Sequence, residues 1–539
     1  MSAQSLTLIG GIMGKAVGFA SVQSSALMGL TPHRITVEVG CTKGPPLFQM
    51  VGLPEAPVRE ARVRVSSALC QLGVLMDSYA ITVNLAPADL PKSGATLDLA
   101  LALGVLAAIE RFPAERLEGV LVLGELSLDG SLRPLRGVLP QLHGALGDVL
   151  HTAIVPVHNA AEAGLVGRGR VLVADSLASV LEHFCDRRAL PEPARTPFCP
   201  VLNTRCEVDL ADVRGQLDAR RALEIAAAGG HNLLFIGPPG AGKTMLARAL
   251  RTILPPLTFE EALECTAVHS VAGILSPERG IVEARPFRAP HHSVSEAGLV
   301  GGGSHPRPGE VSLAHNGVLF LDELPEFRRT ALEALRQPLE DGHVSIARAQ
   351  ARASFPARPV LVGAMNPCPC GYASEAGHPN HQCQCSAATV ARYRRRLSGP
   401  LLDRLDVHTR LAPVDLRALS RGGESESSAS VRERVLAARE LQLERWRAGV
   451  TSRRTNGELP LAEIQRIAGL SGETRRLLER AANQLGLSAR AFVKVLRVAR
   501  TIADLEREPN VRAPHVSLAV NGRTLTRSEA RPALAPQSQ

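Results

Sequence analysis

One eight-residue loop carries the residue types that bind nucleotide phosphates. The segment Gly237-Pro-Pro-Gly-Ala-Gly-Lys-Thr244 follows a short apolar run and precedes a helical pattern that starts near Met245. Glycines let backbone N–H groups surround phosphates, a lysine neutralises their charge, and a hydroxyl coordinates Mg²⁺. The spacing predicts a site for ATP and Mg²⁺ formed by Gly237, Pro238, Pro239, Gly240, Ala241, Gly242, Lys243 and Thr244.

Two adjacent carboxylates further along the chain could supply the chemistry of hydrolysis. The apolar strand pattern of residues 318–321 ends in Asp322 and Glu323. Taken alone, an acidic pair after a strand is equally a helix cap. Because the phosphate-binding loop lies upstream, we predict that Asp322 holds Mg²⁺ together with Thr244, and that Glu323 deprotonates the attacking water.

A cysteine cluster forms a third candidate site. Four of the ten cysteines, Cys368, Cys370, Cys383 and Cys385, fall within 18 residues. Four thiolates can close a tetrahedral structural Zn²⁺ site, which is the first interpretation. C-x-C pairs are less common at zinc than C-x-x-C pairs, so reduced free thiols and a redox disulfide remain alternatives.

The elements that must position these residues alternate between helix and strand. A helix pattern at 213–228 is followed by strand patterns at 232–236, 317–321 and 360–364, which predicts a parallel sheet covered by helices. This α/β domain is expected to span 209–410, with a Cys-rich insertion at 366–386. Two further segments follow it: a helical domain at 411–520 and a disordered tail at 521–539.

The amino-terminal part is a separate mixed α/β domain over residues 1–190, joined by a proline-rich linker at 191–208. Its patterns predict two strands and two helices, which lie at 35–39, 80–85, 66–75 and 97–109.

Composition narrows the class of protein and its partners. A chain of 539 residues with 45% hydrophobic and 21% charged side chains is folded rather than disordered. No apolar run reaches the roughly 18 residues of a membrane span, so we expect a cytoplasmic protein without a membrane partner. Residues 386–539 hold 28 basic and 16 acidic side chains. Their net charge of +12 exceeds the net charge of the whole chain, which is +9. This excess fits a nucleic-acid partner or a solvated helical surface equally well.

Longer strings resemble a known family. The phosphate-binding loop, the Asp322-Glu323 strand, a strand ending in Asn366 and the segment Leu402-Asp-Arg-Leu-Asp406 together resemble an AAA+ ATPase over residues 209 to about 520. Pro286-Phe-Arg-Ala-Pro-His-His-Ser293 and Asn366-Pro-Cys-Pro-Cys-Gly371 are similar to the Mg-chelatase-like YifB/ComM family. The resemblance implies a P-loop NTPase core with a helical lid, preceded by a Lon-protease-like α+β domain of the ribosomal protein S5 domain 2-like type.

The resemblance implies three further site residues. Asn366 would be sensor 1, which polarises the attacking water or the γ-phosphate. Arg404 would be the arginine finger that reaches a neighbouring subunit's γ-phosphate, and Arg490 would be sensor 2. For both arginines a surface ion pair is the structural alternative. A finger supplied to a neighbour requires a ring, so the family implies a homo-oligomer, namely a hexamer.

The resemblance also implies two insertions that face the pore of that ring. One covers residues 269–305, and the other is a predicted β-hairpin formed by 344–348 and 352–355. They offer candidates for sequence-independent contact with a DNA backbone, namely Arg285, Arg288, Arg348 and Arg352. A solvated hairpin or an ion pair between subunits is the alternative. His291 and His292 are predicted to be structural histidines.

The Lon resemblance predicts an absence of protease activity. Lon-like proteases need a serine activated by a lysine, and Thr96 and Leu139 occupy those two positions here. Ser93 beside Lys92 is the remaining Ser-Lys pair, but adjacent side chains of an extended segment diverge. We therefore expect a scaffold domain.

The expected function is a Mg²⁺-dependent, ATP-hydrolysing ring motor on single-stranded or branched DNA. The resemblance implies a helicase or branch-migration factor in homologous recombination or natural transformation. One alternative is a Mg-chelatase-like ATPase that remodels a protein partner. A Lon-type serine protease is the other, and Thr96 and Leu139 oppose it.

Overall fold

The structure of the protein is a computed structural model that describes residues 16–92, 94–201, 208–303, 306–348, 351–373, 382–413 and 425–523. The chain divides into two compact units. The first contains Met1–Phe198, Thr266–Val282 and Ser345–Ser354, and the second contains the rest. Each unit combines helices with a sheet, so the chain is of the α/β class. The predicted tail falls outside the described residues from residue 524 onward.

The first unit is built on a mixed sheet of seven strands. The strands of this unit are β1 (Ala16–Met28), β2 (Thr31–Lys43), β3 (Leu47–Val51), β4 (Tyr79–Ala86), β5 (Val120–Val122), β6 (Glu125–Leu126), β7 (Leu132–Arg133), β8 (Thr152–Pro156) and β9 (Arg170–Ala174). The sheet order is β3-β4-β2-β1-β5-β8-β9, with β6 and β7 as a separate pair. Strand β2 is antiparallel to β1 and β4, and the other neighbours in the sheet are parallel.

Five helices accompany this sheet: α1 (Ala56–Gln71), α2 (Asp98–Ala108), α3 (Val138–Ala145), α4 (Ala160–Ala163) and α5 (Leu177–Phe184). Every residue of α2 is buried. Its one acidic residue, Asp98, is paired with Arg64 at 2.6 Å, which offsets the cost of burying a carboxylate. Helix α1 begins well before the predicted start at residue 66. Pro57 lies in its first turn, where proline is favoured. Charged residues interrupt the apolar ones over the first turns, so the sequence pattern did not show the apolar face there.

Two segments that the sequence assigned to the 209–410 domain pack with the first unit. They are Thr266–Val282, part of the predicted insertion at 269–305, and Ser345–Ser354, the tip of the predicted hairpin. Ser270 Oγ accepts the Gly137 N–H at 2.9 Å and donates to the buried Glu162 carboxylate. These are long-range contacts, which local sequence patterns do not encode.

The second unit is built on a parallel sheet of five strands. The strands of this sheet are β10 (Leu233–Ile236), β11 (Phe287–Arg288), β14 (Val318–Leu321), β17 (Val360–Met365) and β18 (Val407–Arg410), and their order is β11-β14-β17-β10-β18. All neighbours pair in parallel. Their carboxyl ends therefore meet at one edge, where ligands of open α/β sheets bind. The short strands β12 (Gly301–Gly302) and β13 (Arg307–Pro308) pair with each other, as do β15 (His343–Arg348) and β16 (Ala351–Pro356).

The remaining helices are α6 (Leu217–Gly229), α7 (Lys243–Ile253), α8 (Phe259–Ala272), α9 (Glu296–Val300), α10 (Glu310–Leu313), α11 (Arg329–Ala334), α12 (Arg336–Asp341), α13 (Ala387–Arg394), α14 (Gly399–Leu402), α15 (Ser428–Arg447), α16 (Leu461–Ala468), α17 (Gly472–Leu485), α18 (Ala489–Leu505) and α19 (Ala513–Asn521). Apolar residues of β10, β14, β17 and β18 share one core with α6, α7 and the helices after residue 425. The predicted helix at 213–228 starts late because Gln216 adopts a left-handed conformation just before it. Within the described residues, the helices are too short or too polar to cross a bilayer.

Candidate nucleotide site

The loop between β10 and α7 has a backbone suited to an anion. Gly240 and Gly242 adopt φ values of 77° and 89°, in the region that favours glycine. Helix α7 begins at Lys243, immediately after the loop. The first N–H groups of a helix have no partner within it and form the positive end of its dipole. The loop can therefore surround a phosphate with backbone donors.

Lys243 is held inside this loop. The residue is 9% exposed, and its ammonium donates to two loop carbonyls at 2.7 and 3.0 Å and to Asn366 Oδ1 at 2.9 Å. Burial lowers the pKa of Lys243, while the carboxylates of Asp322 and Glu323 oppose that shift. The positive charge thus lies between the loop and the acidic pair.

Thr244 and Asp322 are positioned as a pair of oxygen ligands. The Thr244 hydroxyl, on the first turn of α7, donates to Asp322 Oδ2 at 3.0 Å, and Asp322 directly follows β14. Two adjacent ligands of an octahedral Mg²⁺ at 2.0–2.1 Å are about 3.0 Å apart. The two side chains therefore fit the geometry and the oxygen chemistry of Mg²⁺.

Glu323 lies at the mouth of a cleft of about 310 Å³ that also contains Thr244 and Asp322. Its backbone is left-handed, with φ of 50°, and its side chain is 55% exposed. His292 Nδ1 lies 3.3 Å from Glu323 Oε2, and the His291 and His292 rings are 4.0 Å apart between centroids. The sequence analysis predicted structural roles for both histidines and did not predict that His292 faces this carboxylate. The sequence feature that could have indicated it is the adjacency of the two histidines in the segment after β11.

Asn366 is placed by the order of the strands. It directly follows β17, which lies between β10 and β14 and therefore between the phosphate-binding loop and Asp322. The Gly237 N–H donates to the Met365 carbonyl at 3.2 Å, so the two strand ends are joined just where the loop begins. This places the Asn366 amide beside the Lys243 ammonium.

Arg404 and Arg490 meet in a different cleft. Arg404 is 8% exposed, and its guanidinium contacts Glu340 Oε1 at 2.6 Å and two backbone carbonyls at 2.7 and 3.1 Å. Arg490, at the start of α18, lies 3.7 Å from the same Glu340 oxygen and is 65% exposed. Within the described residues, this cleft has no lining residue from the loop 237–244 and neither carboxylate of the acidic pair. Glu340 was not singled out in the sequence, since nothing local marks it.

A buried polar network ties helix α18 to the segment that carries Arg404. The Lys494 ammonium pairs with the Asp406 carboxylate and donates to the Arg404 carbonyl at 3.0 Å. Burial would raise the pKa of Asp406, but the charge of Lys494, together with His231 at 3.8 Å, outweighs it and holds that pKa below its ordinary value. Asp406 also accepts the Asn232 N–H at 2.8 Å, beside the start of β10.

Two of the four arginines predicted to contact DNA have internal partners instead. Arg285 donates to the Asn316 carbonyl at 2.6 Å and to Glu261 at 2.9 Å, and its side chain is 13% exposed. Arg288 forms a bidentate pair with Glu310 at 2.6 and 2.8 Å. These contacts hold the Arg285 guanidinium against its own loops, and DNA contact by Arg285 stays a sequence-based prediction. Arg288 could reach a phosphate only by leaving Glu310.

The hairpin arginines are placed differently. Arg352, on β16, has an exposed side chain, while the side chain of Arg348 lies outside the described residues. Arg352 thus stays a candidate for DNA contact, and Arg348 keeps only its sequence-based prediction.

The four clustered cysteines converge. Their sulfur atoms all lie within 4.8 Å of one another, and the distances from Cys368 to Cys370 and to Cys383 are 3.2 and 3.7 Å. Cys368 is fully buried, and the other three are partly buried. His378 and His381, which the sequence places between the two pairs, lie outside the described residues.

In the first unit, the positions matched to the Lon nucleophile and base do not form a catalytic pair. Leu139 is buried, and its N–H donates to Glu162 Oε1 at 2.7 Å. Lys92 is fully buried and donates to the Pro87 carbonyl, and burial lowers the pKa of Lys92. Ser93 lies outside the described residues.

Three family models match successive parts of the chain. A family model described as magnesium chelatase, subunit ChlI, matches residues 209–419. A model described as subunit ChlI of Mg-chelatase matches 37–159, and one described as magnesium chelatase, subunit ChlI C-terminal, matches 425–523. The fold and these matches define a Mg-chelatase-like AAA+ protein.

Relatives that match over nearly their whole length show to which family within this class the chain belongs. The uncharacterised protein YifB of Salmonella typhimurium is 44% identical over 512 residues, which cover 95% of this chain and 98% of the relative. The competence protein ComM of Haemophilus influenzae is 45% identical over 515 residues, with the same coverage. The chain belongs to the YifB/ComM family. A shorter match, 31% identical over 144 residues, joins 25% of the chain to Lon protease 2 of Bacillus subtilis.

Proposed function

We propose that the chain hydrolyses ATP within a ring of identical subunits and uses the energy to move along DNA, as a helicase or branch-migration factor. The observation that carries the ATPase part is the convergence of Lys243, Thr244, Asp322 and Asn366 at the carboxyl edge of one parallel sheet. These residues follow the carboxyl ends of three neighbouring strands, β10, β14 and β17, and each lies within hydrogen-bond distance of another.

Each residue has a task that its position permits. Lys243 and the loop N–H groups bind the β- and γ-phosphates, and Thr244 and Asp322 hold Mg²⁺. Bound by these two residues, Mg²⁺ would neutralise the charge that develops on the phosphate during hydrolysis. Glu323, at the open side of the cleft, accepts a proton from the attacking water. Asn366, beside Lys243, orients that water or the γ-phosphate.

The positions of Arg404 and Arg490 support a ring. Both line a cleft separate from the loop of their own chain. Arg490 is exposed, and Arg404 would reach a neighbour's γ-phosphate by exchanging Glu340 for it. A permanently charged, delocalised guanidinium suits that task. The contact is head-to-tail, and a head-to-tail contact that closes gives a ring.

Two observations support DNA as the partner, namely the charge of the chain and its similarity to a named relative. The net charge of +12 over residues 386–539 is compatible with a polyanionic partner, and the exposed Arg352 lies on a hairpin strand. A relative that is 45% identical is named a competence protein, which supports a role in competence for this chain. With 3% aromatic residues, stacking on bases is a weak option, so the contacts are to the backbone and independent of sequence.

The test is steady-state ATP hydrolysis with and without a four-way DNA junction at several salt concentrations. We expect stimulation at low salt that declines steeply as salt rises, because backbone contacts release counterions. Duplex of equal length serves as the matched control. ATP hydrolysis that no DNA changes at low salt would refute the DNA motor and favour remodelling of a protein partner, the role of a chelatase-type ATPase.

A further inference from the structure

The cysteine cluster has the geometry of a metal site. With four sulfurs at about 2.3 Å from Zn²⁺, a tetrahedron places them about 3.8 Å apart. The structure has 3.2, 3.6 and 3.7 Å among Cys368, Cys370 and Cys383, and all four sulfurs lie within 4.8 Å. A disulfide requires about 2.05 Å, and all four are free cysteines.

The surroundings of Cys368 support a metal-bound thiolate. Its sulfur accepts the Ala373 N–H at 3.3 Å, which is the kind of backbone donor that stabilises a ligating sulfur. Cys368 is fully buried, and a buried thiolate without a cation is costly. One Zn²⁺ would offset the cost of ionising these thiols and would link Cys368 and Cys370 to Cys383 and Cys385.

One half of the cluster touches the phosphate-binding loop. Cys368 is two residues after Asn366, and its carbonyl accepts the Gly371 N–H at 3.0 Å to close a tight turn. Gly371 has φ of 87°, and a Cβ there would lie 2.5 and 2.8 Å from Pro239 side-chain atoms. This turn therefore packs directly against the loop that binds phosphate.

The second cysteine pair, Cys383 and Cys385, is connected to Asn366 through α13. Cys383 and Cys385 precede α13, which Ser386 caps by accepting the Thr389 N–H. Tyr393, at the end of α13, lies beside the backbone of Asn366. The cluster thus joins two segments that both contact the residue beside Lys243.

The geometry points to one Zn²⁺ bound by Cys368, Cys370, Cys383 and Cys385, which fixes the Asn366 segment and the Pro239 turn so that the nucleotide site can hydrolyse ATP. The metal site stands on the sulfur positions alone. The second half of the statement rests on the proposed ATPase function.

The first experiment measures metal without nucleotide. Full-length protein purified without chelator should contain about one zinc per chain by mass spectrometry, and Co²⁺ exchange should give the thiolate charge-transfer bands of tetrahedral ligation. Cys383→Ser with Cys385→Ser should lose both signals. Cys70→Ser, which removes an exposed cysteine of the first unit, is the matched control and should keep them. Wild type with under about 0.2 zinc per chain and no Zn²⁺ uptake on titration would overturn the site.

The second experiment separates the metal from its effect on hydrolysis. Removing zinc from wild type with a chelator should lower kcat at least about tenfold, and returning Zn²⁺ should restore it. Gly371→Ala should keep its zinc and still weaken ATP binding, because the added methyl displaces Pro239. Full ATPase activity in zinc-free protein would refute the coupling and leave the metal site intact. Zinc-loaded wild type without any ATPase activity would instead refute the proposed function.

Discussion

Complementation between two inactive variants tests whether Arg404 acts on a neighbouring subunit. Arg404→Ala keeps the phosphate-binding loop and loses the finger, while Lys243→Ala keeps the finger and loses the loop lysine. Each variant alone should fall about 10³-fold or more in kcat, the usual contribution of an arginine finger. The structural reason is that Arg404 contacts Glu340 in a cleft apart from its own Thr244 and Asp322.

The size of the rescue follows from the geometry. A site in the mixture is complete only if its loop comes from Arg404→Ala and its finger from Lys243→Ala. Random equimolar assembly gives each condition a probability of about one half, so about one quarter of the sites are complete. We expect ATP hydrolysis near one quarter of the wild-type rate if sites work independently, which is about 250-fold or more above either variant.

The control uses two variants with defects on the same side of the interface. Lys243→Ala mixed with Glu323→Gln should show no rescue, because both residues belong to the nucleotide site of the same chain, where the Glu323 carboxylate acts on the Lys243 charge. Subunits are mixed before nucleotide is added, and phosphate release is followed in a coupled assay. A mixture of Arg404→Ala and Lys243→Ala that stays at the level of either variant would refute action in trans, as would equal rescue in the control.

Three further predictions concern hydrolysis, stability and DNA. Glu323→Gln should bind ATP with near-normal affinity in a fluorescent-nucleotide assay, while kcat falls about 10²–10⁴-fold because the water loses its base; a near-normal kcat would remove Glu323 from that role. Lys494→Met should lower the free energy of unfolding of the second unit by about 3–5 kcal/mol in urea titrations, since Asp406 is left as a buried unpaired charge. Adding Asp406→Asn should recover part of that loss, and an additive further loss would contradict the pairing. Arg352→Ala should weaken DNA binding about equally for all sequences and reduce the salt slope by about 1, whereas Arg285→Ala should change stability instead; an unchanged salt slope in Arg352→Ala would count against the hairpin contact.

The sequence predicted those site residues whose position depends only on a short local motif. The loop 237–244 and the pair Asp322-Glu323 each follow an apolar strand pattern, and the structure has β10 and β14 at those places. The cysteine spacing likewise predicted a cluster, and the sulfurs do converge. These predictions need only a strand, a turn and a short motif.

Side-chain partners set by distant contacts could not be predicted in the same way. The partner of Arg285 is Glu261, on a helix that precedes it by 24 positions, and nothing in either local pattern records the pairing. Glu340 and His292 are likewise recognisable only once α12 and the segment after β11 are placed beside Arg404 and Glu323. Such contacts depend on tertiary packing rather than on periodicity.

Branch migration of a labelled four-way junction tests the central claim most directly, because it measures ATP-driven movement on DNA itself. We predict that wild-type protein with ATP and Mg²⁺ converts the junction to two duplexes, and that ADP, omission of Mg²⁺ or Glu323→Gln abolishes the conversion. Protein that hydrolyses ATP on the same junction at low salt, yet leaves its strands unexchanged, would contradict the account.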